Sequence, residues 1–161
     1  MARKGYTGSG TRPWVVTHRD NTLYRIDTAT NRPTRLGLVA GSDAAAERLA
    51  LLGDSLWITG RGVPLLDFDP QTGAVRRSVD IGGTGIDVVA ASGALWVPVR
   101  TPVVDSTGFP TMTAVRRVAP DGRVSTVATA RGRVDVHGLA AGLGAVWIAD
   151  NTAGVLYRLA A

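Results

Sequence analysis

Four tryptophans stand in one recurring phrase, and that phrase constrains the fold of this 161-residue chain more than any other feature. Trp14, Trp57, Trp96 and Trp147 lie in short apolar runs, "PWVVT", "SLWIT", "ALWVPV" and "AVWIA", at spacings of 43, 39 and 51 residues. A self-similar period of about 40 to 45 residues belongs to a four-stranded unit repeated around an axis, in which no unit can bury both of its faces alone. One tryptophan per unit suits that need. Each buries about 150 to 250 Å², which at about 25 cal/mol per Å² contributes roughly 4 to 6 kcal/mol before entropy. The four tryptophans are therefore expected in the core, between successive sheets.

Each unit follows the same grammar. An apolar run ("RLALL", "IDVVAA", "HGLAA") leads through a glycine turn to the tryptophan strand. A polar loop then precedes a third strand ("TLYRID", "PLLDFD", "TAVRRVA", "VLYRLA"), and a turn such as "DTATN", "DPQTG" or "APDG" precedes a fourth. Twenty glycines and eight prolines fit many short strands joined by tight reversals. The fold class expected is all-β, a β-propeller of about four four-stranded blades, either a small closed ring or a partial ring completed by oligomerisation. The units fall near residues 11–40, 41–81, 82–130 and 131–161. They count three, four, four and three strands, and the segment 1–10 is a candidate outer strand for closing the last unit.

Two segments strain the grammar. "SDAAAERLALL" has the alanines of a helix, yet its position demands a loop and an innermost strand, and the strand is preferred. The long third spacing comes from "VRTPVVDSTGFPTMTAV", where Val103, Val104 and Phe109 lie between prolines and are expected to contact another subunit.

Composition narrows the function classes. No apolar run approaches the roughly 18 to 20 residues of a membrane span, and no apolar stretch follows the charged start as in a secretory signal. With no cysteine present, the expected location is the cytoplasm or a virus particle assembled there. The formal charge of +5 is carried by arginines, with Lys4 the lone lysine. They are dispersed along the chain, so nucleic acid is not the expected partner. Phosphate-binding, dinucleotide-binding, zinc-protease and nucleophile-elbow motifs are absent, and no cofactor or metal is expected.

Three phrases carry a resemblance: His137-Gly138-Leu139, Gly144-Ala145-Val146-Trp147 and Asn21-Thr22-Leu23-Tyr24-Arg25-Ile26. From about residue 11 onward the chain resembles bacterial propellers of the NHL and virginiamycin B (streptogramin) lyase-like type. The resemblance implies a propeller, and in the lyases a site of two histidines and a glutamate with a divalent metal at one end of the channel. Asp135-Val136-His137-Gly138 stands at the place of the Glu-x-His-Gly of that site, with aspartate where the lyases have glutamate. The second histidine is not matched, because Thr84 and Gly85 stand where it belongs and His18 lies elsewhere in its unit.

In a propeller, the loops joining second to third strands and those joining one unit to the next emerge on the same face. The candidate binding residues are accordingly His18, Arg61, Arg100, Arg131, Arg133, Asp135, His137 and Asp150, with Arg19 beside them. They form a basic rim suited to an acidic protein surface, a phosphate or a carboxylate. The expected function is a non-enzymatic interaction or structural module that binds a protein partner or itself, as a subunit or decoration of a larger assembly such as a phage virion. Alternatives are a degenerate lyase-like enzyme or small anionic-ligand binder using Asp135 and His137, and salt-dependent binding of an anionic polymer.

Overall fold

The computed structural model describes residues 4–9, 12–41, 43–104, 110–130 and 134–161, and among these there are strands and turns but no helix. Four antiparallel sheets follow one another along the chain. The first contains β1 (Lys4–Ser9), β2 (Arg12–Thr17), β3 (Thr22–Asp27) and β4 (Arg32–Leu38). The second contains β5 (Ala45–Leu52), β6 (Ser55–Arg61), β7 (Val63–Phe68) and β8 (Val75–Val79). The third contains β9 (Thr84–Gly85) and β10 (Val89–Ala91), both paired to β11 (Ala94–Val104), followed by β12 (Pro110–Val118) and β13 (Val124–Thr129). The fourth contains β14 (Val136–Gly142), β15 (Ala145–Asp150) and β16 (Val155–Ala160).

One expectation is corrected. The first sheet has four strands where the sequence count gives three, because the polar Lys4–Ser9 pairs along β2 from Lys4↔Thr17 to Ser9↔Arg12. That hairpin makes β1 the innermost strand of the first sheet, packed beside β5, so the segment is not spent as an outer strand on β16. The long third spacing, in turn, prolongs a hairpin, with β11 and β12 running on past a bulge to Val104↔Pro110. Phe109 lies outside the described residues. As preferred from the grammar, Ala45–Leu52 is a strand despite its alanines. Its backbone runs so close to β6 that a Cβ on Gly60 would fall 2.0 Å from the Ala45 carbonyl oxygen, which is why that position is glycine.

Cross-strand register explains where the tryptophans point. Trp14, Trp57 and Trp96 all project toward the sheet that follows. Trp14, Val16 and Leu23 pack with Leu56, Ile58, Leu66 and Phe68 of the second sheet. Trp57, Leu65 and Val79 pack with Leu95, Val97 and Val118 of the third. Trp96 and Val115 pack with Val146 and Ile148 of the fourth. Three cores thus join sheets one to two, two to three and three to four, while among the described residues none joins four to one. Trp147 occupies the same register as the other three and is only half-buried. The sheets stand as an arc.

Asn21 fastens the first sheet to the second. Buried at the turn into β3, it donates from Nδ2 to the carbonyls of Gly41 (2.9 Å) and Ala44 (2.8 Å) and accepts at Oδ1 from the Ala46 amide (2.8 Å). Its φ of 50° is a left-handed conformation that asparagine tolerates better than most residues. Asn21→Ala removes three hydrogen bonds to backbone groups and is expected to cost about 2 to 4 kcal/mol. Urea unfolding checks it by a lower midpoint at unchanged slope.

The β14–β15 hairpin carries a defect of the opposite kind. Leu143 (φ 54°) and Gly144 (φ 68°) form a two-residue turn in which both positions are left-handed, as at Ser92 and Gly93. Such turns favour asparagine followed by glycine. Leu143 is 92% exposed and contributes little packing. Leu143→Asn is expected to stabilise the chain by about 1 kcal/mol, measured as a higher Tm.

Candidate functional site

At one end of the arc, the turns joining second to third strands meet the connections that lead from each sheet to the next. Asn21 makes that contact between sheets one and two. Within the fourth sheet, the lead-in to β14 is tied to that sheet's own turn: the Asp135 amide donates to Asp150 Oδ1 (3.2 Å) and the Asn151 amide donates to the Asp135 carbonyl (3.0 Å). The inner strands of sheets two to four share a further irregularity here, whereas β1 pairs with β2 without a shift. β5 carries an extra residue between Ala46 and Arg48, and β14 carries one between Val136 and Gly138. In the third sheet the extra residue falls between Gly85↔Val99 and Val89↔Trp96, which separates β9 from β10. Bulges re-aim side chains, and here they recur at one level around the inner strands.

The bulges bring in charged residues that the loop-based reading missed. Glu47 is the extra residue of β5, and its Oε1 lies 3.8 Å from His18 Nδ1. Arg48, next along, holds Asp87 across to the third sheet with Nε 3.5 Å from Oδ1. Burial pushes the Asp87 carboxyl above the usual range, against its own Val88 amide donor and the Arg48 charge, which pull it down. A sequence signal existed. Aligned on the tryptophans, Glu47, Arg48, Asp87 and His137 all stand nine or ten residues before one, polar interruptions of otherwise apolar runs.

The residues chosen from sequence fare differently. His18 is half-buried in the turn after β2, and its Nδ1 has no hydrogen-bond partner among the described residues. Arg61 ends β6 and is exposed, as is Arg19. Arg100 lies in β11 at the bulge opposite Thr84, half-buried, with Nε enclosed and unpaired among the described residues. Asp150 is buried, and its Oδ1 also accepts from the amides of Thr152 (2.9 Å) and Ala153 (3.3 Å). Burial works against its ionisation, yet the amide donors of Asp135, Ala153 and Thr152 prevail and hold its carboxyl below the usual range. That makes Asp150 a fastening for its turn. The backbone sets His137 as the extra residue of β14, at the level of Glu47 in β5. Arg131 and Arg133 lie outside the described residues.

A second histidine has no room at Gly85. A Cβ there would come within 2.4 Å of Thr59 Oγ1, so any side chain would displace β6 or Thr59. Among the described residues, no three acidic, histidine or cysteine side chains gather as a metal site would require. No helix among them is long and apolar enough to cross a membrane.

The sequence matches no protein-family model and no curated protein. Solved structures do match. A catalytically inactive virginiamycin B lyase from Staphylococcus aureus, with quinupristin, aligns at TM-score 0.73 and 16% identity over 99% of this chain and 55% of that one. Regucalcin, a calcium-binding protein from Agrobacterium tumefaciens, aligns at 0.70 and 17% identity over 100% and 54%. BamB from Moraxella catarrhalis aligns at 0.65 and 14% identity over 97% and 42%. The chain therefore spans about half the length of these proteins or less. At such identities the likeness is one of fold, and that fold is the β-propeller.

Proposed function

We propose that this propeller scaffold is a non-enzymatic binding module whose loop end, at the level of the bulges, receives an acidic segment of a partner protein. One observation carries the reading: cations and carboxylates at that end are committed unequally. Glu47 is beside His18, Asp87 is held by Arg48, and Asp150 is bound to backbone amides. Arg19 and Arg61 are exposed and form no ion pair among the described residues. Arginine at an exposed rim suits planar, two-point recognition of carboxylates. As a subunit or decoration of a larger assembly, a virion included, the module would present this end outward.

The likeness to a lyase fold and the Asp135-x-His137 spacing favour a second reading, a degenerate lyase-like or small-ligand site. The filled space at Gly85 counts against it.

A fluorescent oligoglutamate peptide tests the first reading. It is expected to bind in dilute salt and to bind about tenfold more weakly to the Arg19→Glu, Arg61→Glu double variant, since each rim charge is worth up to about 1 kcal/mol. Undiminished binding by that variant sinks the proposal. Tighter, steeply salt-dependent binding of single-stranded DNA would point to an anionic polymer instead. Opening of quinupristin with magnesium, abolished by His137→Ala, would establish the enzyme.

A further inference from the structure

The two ends of the arc are unequal and complementary. At its last sheet, the side that carries the tryptophan is uncovered. Trp147 pairs with Arg158 across strands, as Trp14 pairs with Arg25 and Trp96 with Arg117. One step along the same side stands Leu156, opposite Ala149. Its counterparts two residues before the third-strand row position are Leu23, Leu65 and Val115, which are 1%, 0% and 1% exposed, whereas Leu156 is 60% exposed. Leu143, Val155 and Tyr157 make the same sheet the richest in exposed large apolar side chains.

At the first sheet, the opposite side is only partly covered, with Pro13 buried and its neighbours less so. In sheets two to four this side receives the preceding tryptophan, through Leu56, Ile58 and Phe68, through Leu95, Val97 and Val118, and through Val146 and Ile148, all essentially without exposure. In the first sheet the same register positions are held by Pro13, Val15 and Ile26, with Tyr24 between them. Val15, Tyr24 and Ile26 are only half-buried.

We infer that the tryptophan side of the fourth sheet docks on the Val15–Tyr24–Ile26 side of the first sheet in a second copy of this chain, repeating between molecules the packing made three times within one. Charge placement supports the same pairing. Arg25 reaches forward to the next sheet's turn, donating to Gln71 Oε1 (3.0 Å), and Trp14 Nε1 donates to Pro70 in that turn (3.0 Å). Arg77 donates to the Pro120 carbonyl in the turn after that. Arg158 meets no further sheet among the described residues and lies 5.7 Å over the Trp147 ring. Aligned on Phe68 and Ile26, the turn that Arg158 would meet in a second copy is the one opened by Asp27, as Asp69 opens the turn that Arg25 meets. A cation thus faces an acidic turn. Two such contacts related by a twofold axis bring together eight sheets, and each arc overlays only 55% and 54% of two larger propellers. The contact is head-to-tail and does not involve the loop end, so it stands or falls apart from the binding reading above.

Light scattering on this chain is the test, with Leu156→Glu and Val15→Glu as variants at the two sides. The wild-type chain is expected to weigh two copies. Either variant alone is expected to weigh one copy, and an equimolar mixture of the two is expected to regain pairs, because one intact tail meets one intact head. Circular dichroism matching the wild type shows that Leu156→Glu, at an exposed position, leaves the sheets folded; if Val15→Glu unfolds, Tyr24→Glu takes its place. A wild-type mass of one copy overturns the inference. So does a mass above two copies, or loss of pairing in Leu156→Glu but not in the first-sheet variant, which would mean tail-to-tail contact.

Discussion

Everything in this fold depends on the transfer of apolar surface from one sheet to the next. A sheet of three or four short strands has two faces, and one chain of this size cannot cover both with anything but its own repeats. The tryptophan row solves the problem by direction. Trp14, Trp57 and Trp96 project forward, and the sheet ahead meets each with aliphatic or aromatic side chains such as Leu56, Ile58 and Phe68. At about 25 cal/mol per Å² those contacts are the largest single stabilising term available, and they fix the order of the sheets around the axis. Hydrogen bonds then set the register between sheets. Asn21 is the clearest case, since its three bonds all cross from the first sheet to the approach of β5.

The second sheet shows how the row tolerates change. Sheets one, three and four place an arginine opposite the tryptophan, but the second places Asp67 opposite Trp57. The arginine reappears one strand outward as Arg77, which lies 5.0 Å over the Trp57 ring and donates to Asp67 Oδ2 at 3.0 Å. A buried carboxylate next to a tryptophan would otherwise be costly. The stacked cation both neutralises it and reaches the Pro120 carbonyl of the following sheet, so the forward contact survives the exchange.

How much of this was legible in the sequence follows the strength of each physical signal. The tryptophan period and the glycine turns are strong, repeated and local, and they led to all-β sheets and to the correct strand over Ala45–Leu52 against helix propensity. Lys4–Ser9 was not legible as an inner strand. It is polar and has no apolar alternation, and only pairing with β2 shows its place. The loop arginines drew notice because they are charged, whereas Glu47, Arg48 and Asp87 were passed over because they interrupt apolar runs. A bulge shifts such residues out of the sheet's alternation. It is a register event, visible only once the partner strand is known, and that is why the recurring polar position before each tryptophan went unread.

The same logic separates what the repeat must do from what the chain has done with it. Packing demands apolar side chains on both faces of every interior sheet, and sheets two and three comply. Nothing in packing demands that the bulge level carry Glu47 beside His18, or Arg48 holding Asp87. Burial raises the Asp87 carboxyl, so that position is held at a cost in solvation that an apolar residue would avoid. The inner strands could close with the alanines and valines that line them elsewhere. Charges kept at one level, at one end of the arc and across successive sheets are therefore the part of this propeller that stability alone does not account for.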